Sequence, residues 1–336
     1  MEDYTIWLTT DCNLRCKYCY EGLQKKCLSM DKELACKVVE FICNSYTKHD
    51  GVLSLDFHGG EPLMQFGVMK FLIEKLDQRF PELEKNYCLT TNATLLNDER
   101  IQYITKHIKN VSVSLDGSKE KHDRNRIFAN GRGSYDVALK NSLKLLLILG
   151  ERLRVRMTLG PDTVKGVSKD LIELYQLGFK TLAVLPDIFC ENWENSDFDL
   201  LKEELRIAKE SISDNTIYFN LIEPLVVQKK AKCSGGIDEI QIYPDGSLYP
   251  CSMSAGMEEF KIGDIFKGVD EEKRDEILHY SNECMDSCKD CDMHQYCESN
   301  RCRIVNKITM NNYLIPNAVQ CLFNNTLMEE NGYILR

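Results

Sequence analysis

The sequence lacks an excess of basic residues, a long apolar run and a secretion signal. Lysine and arginine number 42 against 52 aspartates and glutamates, which gives a formal net charge of −10. This balance argues against broad binding to nucleic acid or an anionic membrane, because both require a basic surface. The longest apolar runs, such as residues 143–150, are too short to span a bilayer, and the N-terminus has neither the basic nor the apolar region of a signal peptide. We therefore expect a cytoplasmic protein with no nucleic-acid or membrane partner.

Cysteine, by contrast, is abundant. The 336 residues are enough for one large domain and a smaller one, and they include 16 cysteines. Disulfides are a poor explanation in a reducing compartment, so the cysteines indicate metal or cluster ligation. Their positions support this interpretation, since three lie within residues 12–19 and eight lie between residues 233 and 321.

The first two thirds of the chain alternate between strand-like and helix-like segments. Short segments rich in β-branched or aromatic residues predict strands at 4–10, 52–58, 86–92, 111–116, 153–159 and 181–186. Between and after them, helices are predicted near 31–48, 63–79, 97–107, 134–149, 163–177 and 197–213. Six strand–helix units in series imply an α/β fold with a parallel sheet, and we predict a partial (β/α)6 TIM-like barrel. Functional residues should then lie on the loops that follow the strands.

The pattern changes after about residue 216. Residues 239–250 are typical of a β-hairpin around the turn Pro244-Asp245-Gly246. From residue 281 onward the chain is rich in cysteine and poor in apolar periodicity, which suggests a small domain whose ligated metals substitute for a core. We predict a barrel domain at 1–215, a linker at 216–230 and a cysteine-rich domain at 231–336.

Cys12, Cys16 and Cys19 follow the first predicted strand at the spacing C-x3-C-x2-C. Three thiolates this close can wrap one face of a [4Fe–4S] cluster and leave one iron open to chelate a small molecule. A zinc loop or spare thiols are the alternative, although structural zinc sites want four ligands and the sequence offers no fourth nearby.

Gly59-Gly60-Glu61-Pro62 follows the second predicted strand. Paired glycines let the backbone approach a ligand closely, and a carboxylate at this position can grip an ammonium group. Alone, the motif also fits an ordinary turn between a strand and a helix.

Together, four segments resemble the radical S-adenosylmethionine (SAM) superfamily: CNLRCKYC (12–19), HGGEP (58–62), TTNATLL (90–96) and SVSLDG (112–117). The resemblance covers nearly the whole chain. In that family the open iron binds the amino and carboxylate groups of SAM, and one electron from the reduced cluster yields methionine and a 5′-deoxyadenosyl radical. The radical abstracts a substrate hydrogen, while the protein positions the cofactor and excludes water.

The resemblance also implies which residues contact SAM. Tyr18 would contact the adenine, largely through its backbone, and the methionine amino group would be held by Gly59, Gly60 and Glu61. The remaining contacts would come from Ser114 to the ribose or carboxylate, from Arg126 to the carboxylate and from Leu185 to the adenine. Taken singly, these last three residues also fit an ordinary strand hydroxyl, a surface arginine and a core leucine.

The C-terminal cysteines resemble the SPASM domain, which extends many peptide-modifying radical SAM enzymes. By that resemblance a first auxiliary [4Fe–4S] cluster would be held by Cys233, Cys251 and Cys302. A second would be held by Cys288, Cys291, Cys297 and Cys321. The alternative is zinc, which Cys288-x2-Cys291 also fits.

The first auxiliary cluster is one cysteine short. Cys284 could complete it, or its fourth iron could stay open to a substrate thiolate. The other cysteines, at positions 27, 36, 43, 88 and 190, are expected to be ordinary buried thiols.

These motifs predict a maturase that forms thioether bonds in a ribosomally made, cysteine-containing peptide. The enzyme alternative is an anaerobic sulfatase-maturing, formylglycine-generating enzyme. Such relatives place an aspartate after the cysteine that matches Cys251, whereas Ser252 stands here. A zinc-bearing, non-catalytic peptide-binding protein is the hypothesis from another class.

Two partners are expected: a precursor peptide or protein substrate, and an electron donor such as flavodoxin or ferredoxin. The chain starts three residues before its first predicted strand, which leaves no room for a leader-binding winged helix. The leader is therefore expected to be bound either by a separate leader-binding protein or directly by the barrel and the C-terminal domain.

Overall fold

A computed structural model describes residues 3–21, 27–46, 51–212, 216–227, 229, 233–279, 284–297 and 302–335. The strands are β1 (Asp3–Trp7), β2 (Leu53–His58), β3 (Lys85–Thr91), β4 (Asn110–Ser114), β5 (Leu153–Leu159), β6 (Thr181–Pro186), β7 (Tyr218–Phe219), β8 (Leu225–Val227), β9 (Glu239–Ile242), β10 (Ser247–Tyr249), β11 (Gly263–Asp264), β12 (Gly268–Val269) and β13 (Tyr333–Leu335). The helices are α1 (Lys32–Ser45), α2 (Phe66–Arg79), α3 (Asp98–His107), α4 (Lys119–Asn125), α5 (Tyr135–Leu149), α6 (Val167–Gln176), α7 (Asn195–Ser211), α8 (Glu271–His279), α9 (Asp286–Lys289), α10 (Arg303–Met310) and α11 (Ala318–Asn331).

The six predicted strands and six predicted helices of the first two thirds are all present. Two strands, at 153–159 and 181–186, match the prediction residue for residue. Capping residues explain some helix starts, since the Asp31 side chain accepts the Leu34 N–H at 2.8 Å and the Asn97 side chain accepts the Arg100 N–H at 2.9 Å. The predicted helix ends at 47–48 and at 213 lie outside the described residues.

The chain divides into two compact units, and neither is continuous in sequence. Unit 1 comprises Met1–Arg15, Cys19–Val111 and Cys233–Tyr280, and unit 2 comprises Cys16–Tyr18, Ser112–Lys232 and Ser281–Arg336. The predicted domain limits at 215 and 231 lie outside the described residues, and that division stays a prediction.

Unit 1 is built on a sheet with the strand order β12-β11-β10-β9-β1-β2-β3. Strands β1, β2 and β3 are parallel, and β9 adds to the other edge of β1, also in parallel, with Asp3 opposite Glu239. The predicted hairpin is confirmed, because β9 and β10 pair antiparallel with Leu248 opposite Ile242. Its turn ends at Gly246, where φ is +85°.

Unit 2 contains the strand order β4-β5-β6-β7, with β5, β6 and β7 parallel, and a separate parallel pair of β8 and β13. Along β5 the side chains alternate. Leu153, Val155 and Leu159 are buried, whereas Arg154 is exposed and Arg156 is half-buried. This strand therefore packs one face into the core and leaves its other face polar and accessible.

Two expectations for the C-terminal third need correction. Residues 216–230, predicted to be a linker, contain the strands β7 and β8 within their described part, which excludes residues 228 and 230. The segment after residue 281, predicted to lack a core, contains the helices α10 and α11. Phe323 and Leu327 of α11 are 3% and 2% exposed, so this helix does bury an apolar face. Within the described ranges, no helix is both long enough and apolar enough to cross a membrane.

Candidate functional site

The loop after β1, residues 8–19 (the cysteine loop), carries Cys12, the first cysteine of the N-terminal motif. Its sulfur accepts the backbone N–H of Leu14 at 3.4 Å, and the amide nitrogen of Asn92 lies 3.8 Å from the same sulfur. Donors aimed at a sulfur favour the thiolate over the thiol, and the thiolate is the form that binds a metal. Asn92 directly follows β3, so the end of that strand supplies one of the donors near the Cys12 sulfur.

The paired glycines Gly59 and Gly60 allow the backbone after β2 to lie in close contact with the same loop. Gly60 N donates to Thr9 O at 2.8 Å, and Glu61 N donates to Asp11 O at 2.9 Å. A Cβ atom on Gly60 would lie 2.2 Å from Asp11 O, and one on Gly59, whose φ is +138°, would lie 2.2 Å from Thr9 O. Any larger residue at either position would therefore push the cysteine loop away.

Glu61 is engaged inside the protein. Its carboxylate is 1% exposed and accepts hydrogen bonds from Thr91 Oγ1 at 2.7 Å, Asn92 N at 2.8 Å and Leu63 N at 3.1 Å. Burial raises the pKa of this carboxyl, and the hydrogen bonds oppose that rise. The side chain links the end of β2 to the end of β3. Its carboxylate is therefore already hydrogen-bonded and, contrary to the expectation, is not exposed for binding an ammonium group.

In unit 2, Tyr18 and Arg126 meet at a buried carboxylate. The guanidinium of Arg126 lies over the ring of Tyr18, 5.2 Å from its centroid, and Arg126 Nε donates to Asp116 Oδ2 at 2.8 Å. The Tyr18 hydroxyl donates to the same oxygen, and Thr158 N donates to Oδ1 at 3.1 Å. Arg126 is only 8% exposed, so it is not an ordinary surface arginine.

The electrostatics of this group follow from burial and from the Asp116 charge. Burial raises the pKa of Tyr18 well above its usual value, and Asp116 adds to the rise while Arg126 opposes it. Burial alone would lower the pKa of Arg126, but Asp116 and Tyr18 raise it above the ordinary range. Asp116 lies in the SVSLDG segment, yet nothing in the sequence distinguishes its carboxylate from a turn residue. We therefore count it as a site residue that the sequence alone does not reveal.

His122 completes the network as a neutral ring. Its Nδ1 accepts Asp116 N at 3.3 Å, and its Nε2 lies 3.0 Å from Ser134 Oγ, which itself donates to Arg126 O at 2.7 Å. Because the Ser134 proton points to Arg126 O, Nε2 must carry the proton of the imidazole. Burial and, to a lesser extent, the Arg126 charge lower the pKa of His122 to about 4.

The two other expected SAM contacts lie at the ends of strands in unit 2. Ser114 is the last residue of β4 and is half-buried. Leu185 is the fifth residue of β6 and is 51% exposed, whereas Leu182 and Val184 on the opposite face are fully buried. The interpretation of Leu185 as a core residue is therefore wrong, and its side chain is open to a ligand.

The second set of C-terminal cysteines comes together in unit 2. Burial raises the pKa of the Cys321 thiol, and the nearby thiols of Cys297, Cys288 and Cys291 raise it further. A thiol influences another in this way only at short range, so the side chains of Cys288, Cys291 and Cys297 each lie near that of Cys321. They are the four residues expected to hold the second auxiliary cluster.

The first set is divided between the units, with Cys233 and Cys251 in unit 1 and Cys302 in unit 2. Near the first pair the backbone closes tightly, since a Cβ atom on Gly235 would lie 2.6 Å from Pro250 O. Cys284 lies in unit 2, with its sulfur 4.0 Å from His294 Nε2.

Cys12 and Cys19 likewise belong to unit 1, whereas Cys16 belongs to unit 2. Across the described ranges, no group of three or more His, Cys, Asp or Glu side chains is arranged to hold a single metal ion. A [4Fe–4S] cluster asks for a wider spacing, because each thiolate binds a different iron.

The remaining cysteines were expected to be buried, and this is wrong. Cys27 is exposed, and four more are half-buried: Cys36, Cys43, Cys88 and Cys190. Periodicity gives no guidance for Cys27 and Cys190, because neither lies in a helix or strand.

The chain is similar in sequence to several curated proteins. It is 26% identical over 331 residues to the cysteine-type anaerobic sulfatase-maturating enzyme of Clostridium novyi (strain NT), an alignment covering 87% of this chain and 85% of the relative. It is 24% identical over 276 residues to the radical SAM cyclopropyl synthase TigE of Paramaledivibacter caminithermalis, covering 74% of this chain and 57% of that protein.

Solved structures share the fold. Native anSMEcpe with bound AdoMet has a TM-score of 0.81 and 20% identity, covering 98% of this chain and 97% of that chain. Streptococcus suis SuiB bound to S-adenosylmethionine has a TM-score of 0.66 and 16% identity, covering 94% of this chain and 76% of that chain. The similarity to anSMEcpe thus extends over the C-terminal cysteine-rich part as well as the strand–helix units.

A family model described as the radical SAM superfamily matches residues 7–176, just over half of the 336 residues. The matched range contains the N-terminal cysteines, the paired glycines with Glu61, and the group around Asp116. The chain belongs to the radical SAM superfamily.

Proposed function

We propose that the protein modifies a ribosomally made, cysteine-containing peptide, using SAM and three [4Fe–4S] clusters, and that the modification is a thioether bond. When bound, SAM and the N-terminal cluster supply a carbon radical that abstracts a hydrogen atom from the substrate. The observation that carries the proposal is the hydrogen bonding at Cys12. A sulfur that accepts two N–H donors suits a thiolate ligand better than a spare thiol.

Residues of the chain also fit SAM itself. Nε of Arg126 is committed to Asp116, and no hydrogen bond joins its terminal nitrogens to any other part of the chain that the structure describes. A guanidinium held in this way matches a carboxylate with its remaining fork. Leu185, half exposed at the end of β6, offers an apolar surface for the adenine. The Glu61 carboxylate is engaged elsewhere, so we assign contact with the amino group to the backbone of residues 59–61.

The polar face of the β5 and β6 sheet suits a peptide. Arg154 and Arg156 point to the face opposite the buried Val155, and neither side chain makes a hydrogen bond or ion pair with a described residue. Ala183, whose side chain is a single methyl group, lies opposite Arg156 in the register. A guanidinium without a partner binds carboxylates well, above all where it is half-buried as at Arg156, so we expect a substrate with acidic side chains. Native anSMEcpe, which shares the fold, has been solved with AdoMet and a peptide named Kp18Cys.

A second reaction is favoured by the relatives. Two cysteine-type anaerobic sulfatase-maturating enzymes, from Clostridium novyi and Clostridium perfringens, align with 87% and 88% of this chain. We keep thioether formation first because Ser252 replaces the expected aspartate and because the first auxiliary set lacks a fourth cysteine. Thioether formation consumes the thiol and removes two hydrogen atoms from the peptide. Formylglycine formation releases sulfide and leaves an aldehyde, so mass spectrometry with carbonyl labelling distinguishes the products.

The radical step is tested with anaerobically reconstituted protein, SAM and dithionite, by measuring 5′-deoxyadenosine. Replacing Cys12, Cys16 and Cys19 together by Ala should abolish the product while the C-terminal clusters keep their iron. The matched control replaces Cys36, Cys43 and Cys88 by Ala, which removes as many thiols and should leave the product unchanged. Continued formation of 5′-deoxyadenosine by the first variant would show that the assignment of these ligands is wrong. Colourless protein containing zinc would favour the non-catalytic alternative.

A further inference from the structure

Asp116 is a buried carboxylate on which two parts of the candidate site converge. Its side chain is 2% exposed and accepts three donors: the Tyr18 hydroxyl, Arg126 Nε and Thr158 N. Two of these donors belong to residues assigned to SAM, while Asp116 itself faces no open space. A carboxylate in this position can act on a ligand only through the groups that it holds.

The first group it holds is the Arg126 guanidinium. An arginine side chain has many rotamers, and fixing it normally costs conformational entropy when a ligand binds. Here the bond from Nε to Asp116 and the Tyr18 ring on one face fix the plane of the guanidinium in advance. The terminal nitrogens are then left in one orientation, which is what bidentate binding of a carboxylate requires.

The second group is the cysteine loop. Tyr18 lies between Cys16 and Cys19, and Lys17 N donates to Asn125 O at 3.1 Å, one residue before Arg126. The loop segment and the arginine are therefore joined twice, once through the backbone and once through Asp116. A shift of one would be passed to the other, which links the position of Cys16 to that of the carboxylate-binding group.

The negative charge of Asp116 contributes to holding Arg126 in place, in addition to the hydrogen bonds that its carboxylate accepts. A buried guanidinium without a counter-charge is strongly destabilised, because desolvation disfavours its charged form. Asp116 compensates the Arg126 charge, and the Oδ1 bond to Thr158 N keeps the carboxylate from rotating toward solvent. An amide in its place would retain the size of the side chain but lose the charge and one acceptor.

We propose that Asp116 is a positioning residue, which orients Arg126 for the carboxylate of SAM and ties it to the cysteine loop through Tyr18. The inference rests on the proposed SAM site. It adds to that site a residue that would not touch SAM, and it predicts that the effects of Asp116 and Arg126 are not independent.

The test is a double-mutant cycle on the affinity for SAM, measured by equilibrium dialysis with labelled SAM and reconstituted protein. Asp116→Asn and Arg126→Ala should each weaken binding by about tenfold. The double variant should bind no more weakly than Arg126→Ala alone, since Asp116 acts through the arginine. The SAM-induced change in the electron paramagnetic resonance spectrum of the reduced cluster should shrink in both single variants.

Asp170→Asn is the matched control. Asp170 also forms a buried ion pair in unit 2, with Lys121, and accepts Ser118 N at 2.9 Å, but it contacts none of the SAM residues. This variant should lower the melting temperature and leave the affinity for SAM unchanged. If Asp116→Asn does not fold, Tyr18→Phe is measured instead, because it removes only the hydroxyl donor. Weaker SAM binding by that variant supports the proposal, and unchanged binding overturns it.

The outcomes distinguish a failure of the proposed SAM site from a failure of the positioning role of Asp116. If Arg126→Ala binds SAM as well as the wild type does, the proposed SAM site is wrong. If Arg126→Ala weakens binding but Asp116→Asn does not, or if the two losses multiply in the double variant, the site stands and the positioning role is overturned.

Discussion

Gly60 lies where the end of β2 crosses the cysteine loop, and its lack of a side chain permits the hydrogen bond from Gly60 N to Thr9 O. We predict that Gly60→Ala lowers SAM cleavage by about a hundredfold, because displacing a reacting group by about 1 Å has an effect of that size. The Cβ would approach the backbone oxygen of Asp11, which cannot yield as a flexible side chain could. Production of 5′-deoxyadenosine per N-terminal cluster is the measurement.

Gly67→Ala provides the control for that substitution. Gly67 lies in the first turn of α2, and a Cβ there would meet nothing within 4 Å. The variant should keep full activity and gain about 0.5–1 kcal/mol of stability, as Ala replaces Gly in a helix. A Gly60→Ala enzyme as active as Gly67→Ala would contradict the tight crossing.

His122 predicts a pH dependence of stability. Its pKa is about 4 in the fold against about 6.5 in an unfolded chain, so the unfolded state takes up a proton first as pH falls. Stability should therefore decline between about pH 6.5 and pH 4, by about 2 kcal/mol between pH 7 and pH 5. The charged groups acting on the ring are Arg126, Asp116 and Asp123, and Tyr135 packs edge-on against it.

The measurement is urea unfolding at pH 7 and pH 5, for the wild type and His122→Gln. Glutamine can accept Asp116 N and donate to Ser134 Oγ as the neutral ring does, but it does not titrate. The variant should therefore lose less stability than the wild type at pH 5. Equal losses in both proteins would mean that His122 does not contribute to the dependence.

For single residues, the sequence predicts which side chains belong to the site better than it predicts what those side chains contact. The spacing of Cys12, Cys16 and Cys19 predicts a cluster because ligand spacing is a local property. The engagement of Glu61 with β3, and of Asp116 with Arg126, depends on which strand ends are neighbours in three dimensions. No local pattern in the sequence contains that information.

Among the elements, the C-terminal helix α11 shows how the position of a cysteine depends on the packing of the helix that carries it. Cys321 lies on α11, and the helix packs against α7, with Leu327 and Phe323 buried and Lys202 paired with Glu329 at 2.7 Å. We predict that Leu327→Ala destabilises the protein by about 2–5 kcal/mol, the usual result of a cavity at a buried leucine. It should also increase hydrogen exchange in α11 and lower the iron content of the second auxiliary cluster.

Leu322→Ala on the same helix is the comparison, because Leu322 is 38% exposed. Its effect on stability should stay within about 0.5 kcal/mol, as for most surface substitutions. Similar losses of stability in the two variants would argue against the packing of α11 described above.

The strands and helices of the first two thirds could be predicted because each repeats one pattern: a short β-rich segment, then an amphipathic helix. The helices α10 and α11 could not. α10 has only eight residues, and the cysteines and polar residues around both helices interrupt the apolar periodicity. The burial of α11 follows from its packing against α7, which the sequence does not show. The strands β7 and β8 are two and three residues long, too short for any periodicity to be recognised.

For the whole molecule, the proposed clusters predict how iron divides along the chain. Three [4Fe–4S] clusters would give about twelve iron atoms, and replacing Cys288, Cys291, Cys297 and Cys321 by Ala should remove about four of them. Iron analysis and the absorbance near the visible cluster band are the measurements, with the Cys36, Cys43 and Cys88 variant as the control. Iron content unchanged by the four substitutions would exclude the second auxiliary site.

The pairing of β1 has a consequence for folding during synthesis on the ribosome. β1 lies between β2 and β9, and its partner residues Asp3 and Glu239 are more than 230 positions apart. At a synthesis rate of about 5–20 residues per second, one edge of this buried strand would wait roughly 12–47 s for its partner to leave the ribosome. An unpaired apolar edge invites association with other chains. Chaperones that cover this edge during synthesis should therefore improve the yield of soluble protein more than a lower temperature after synthesis does.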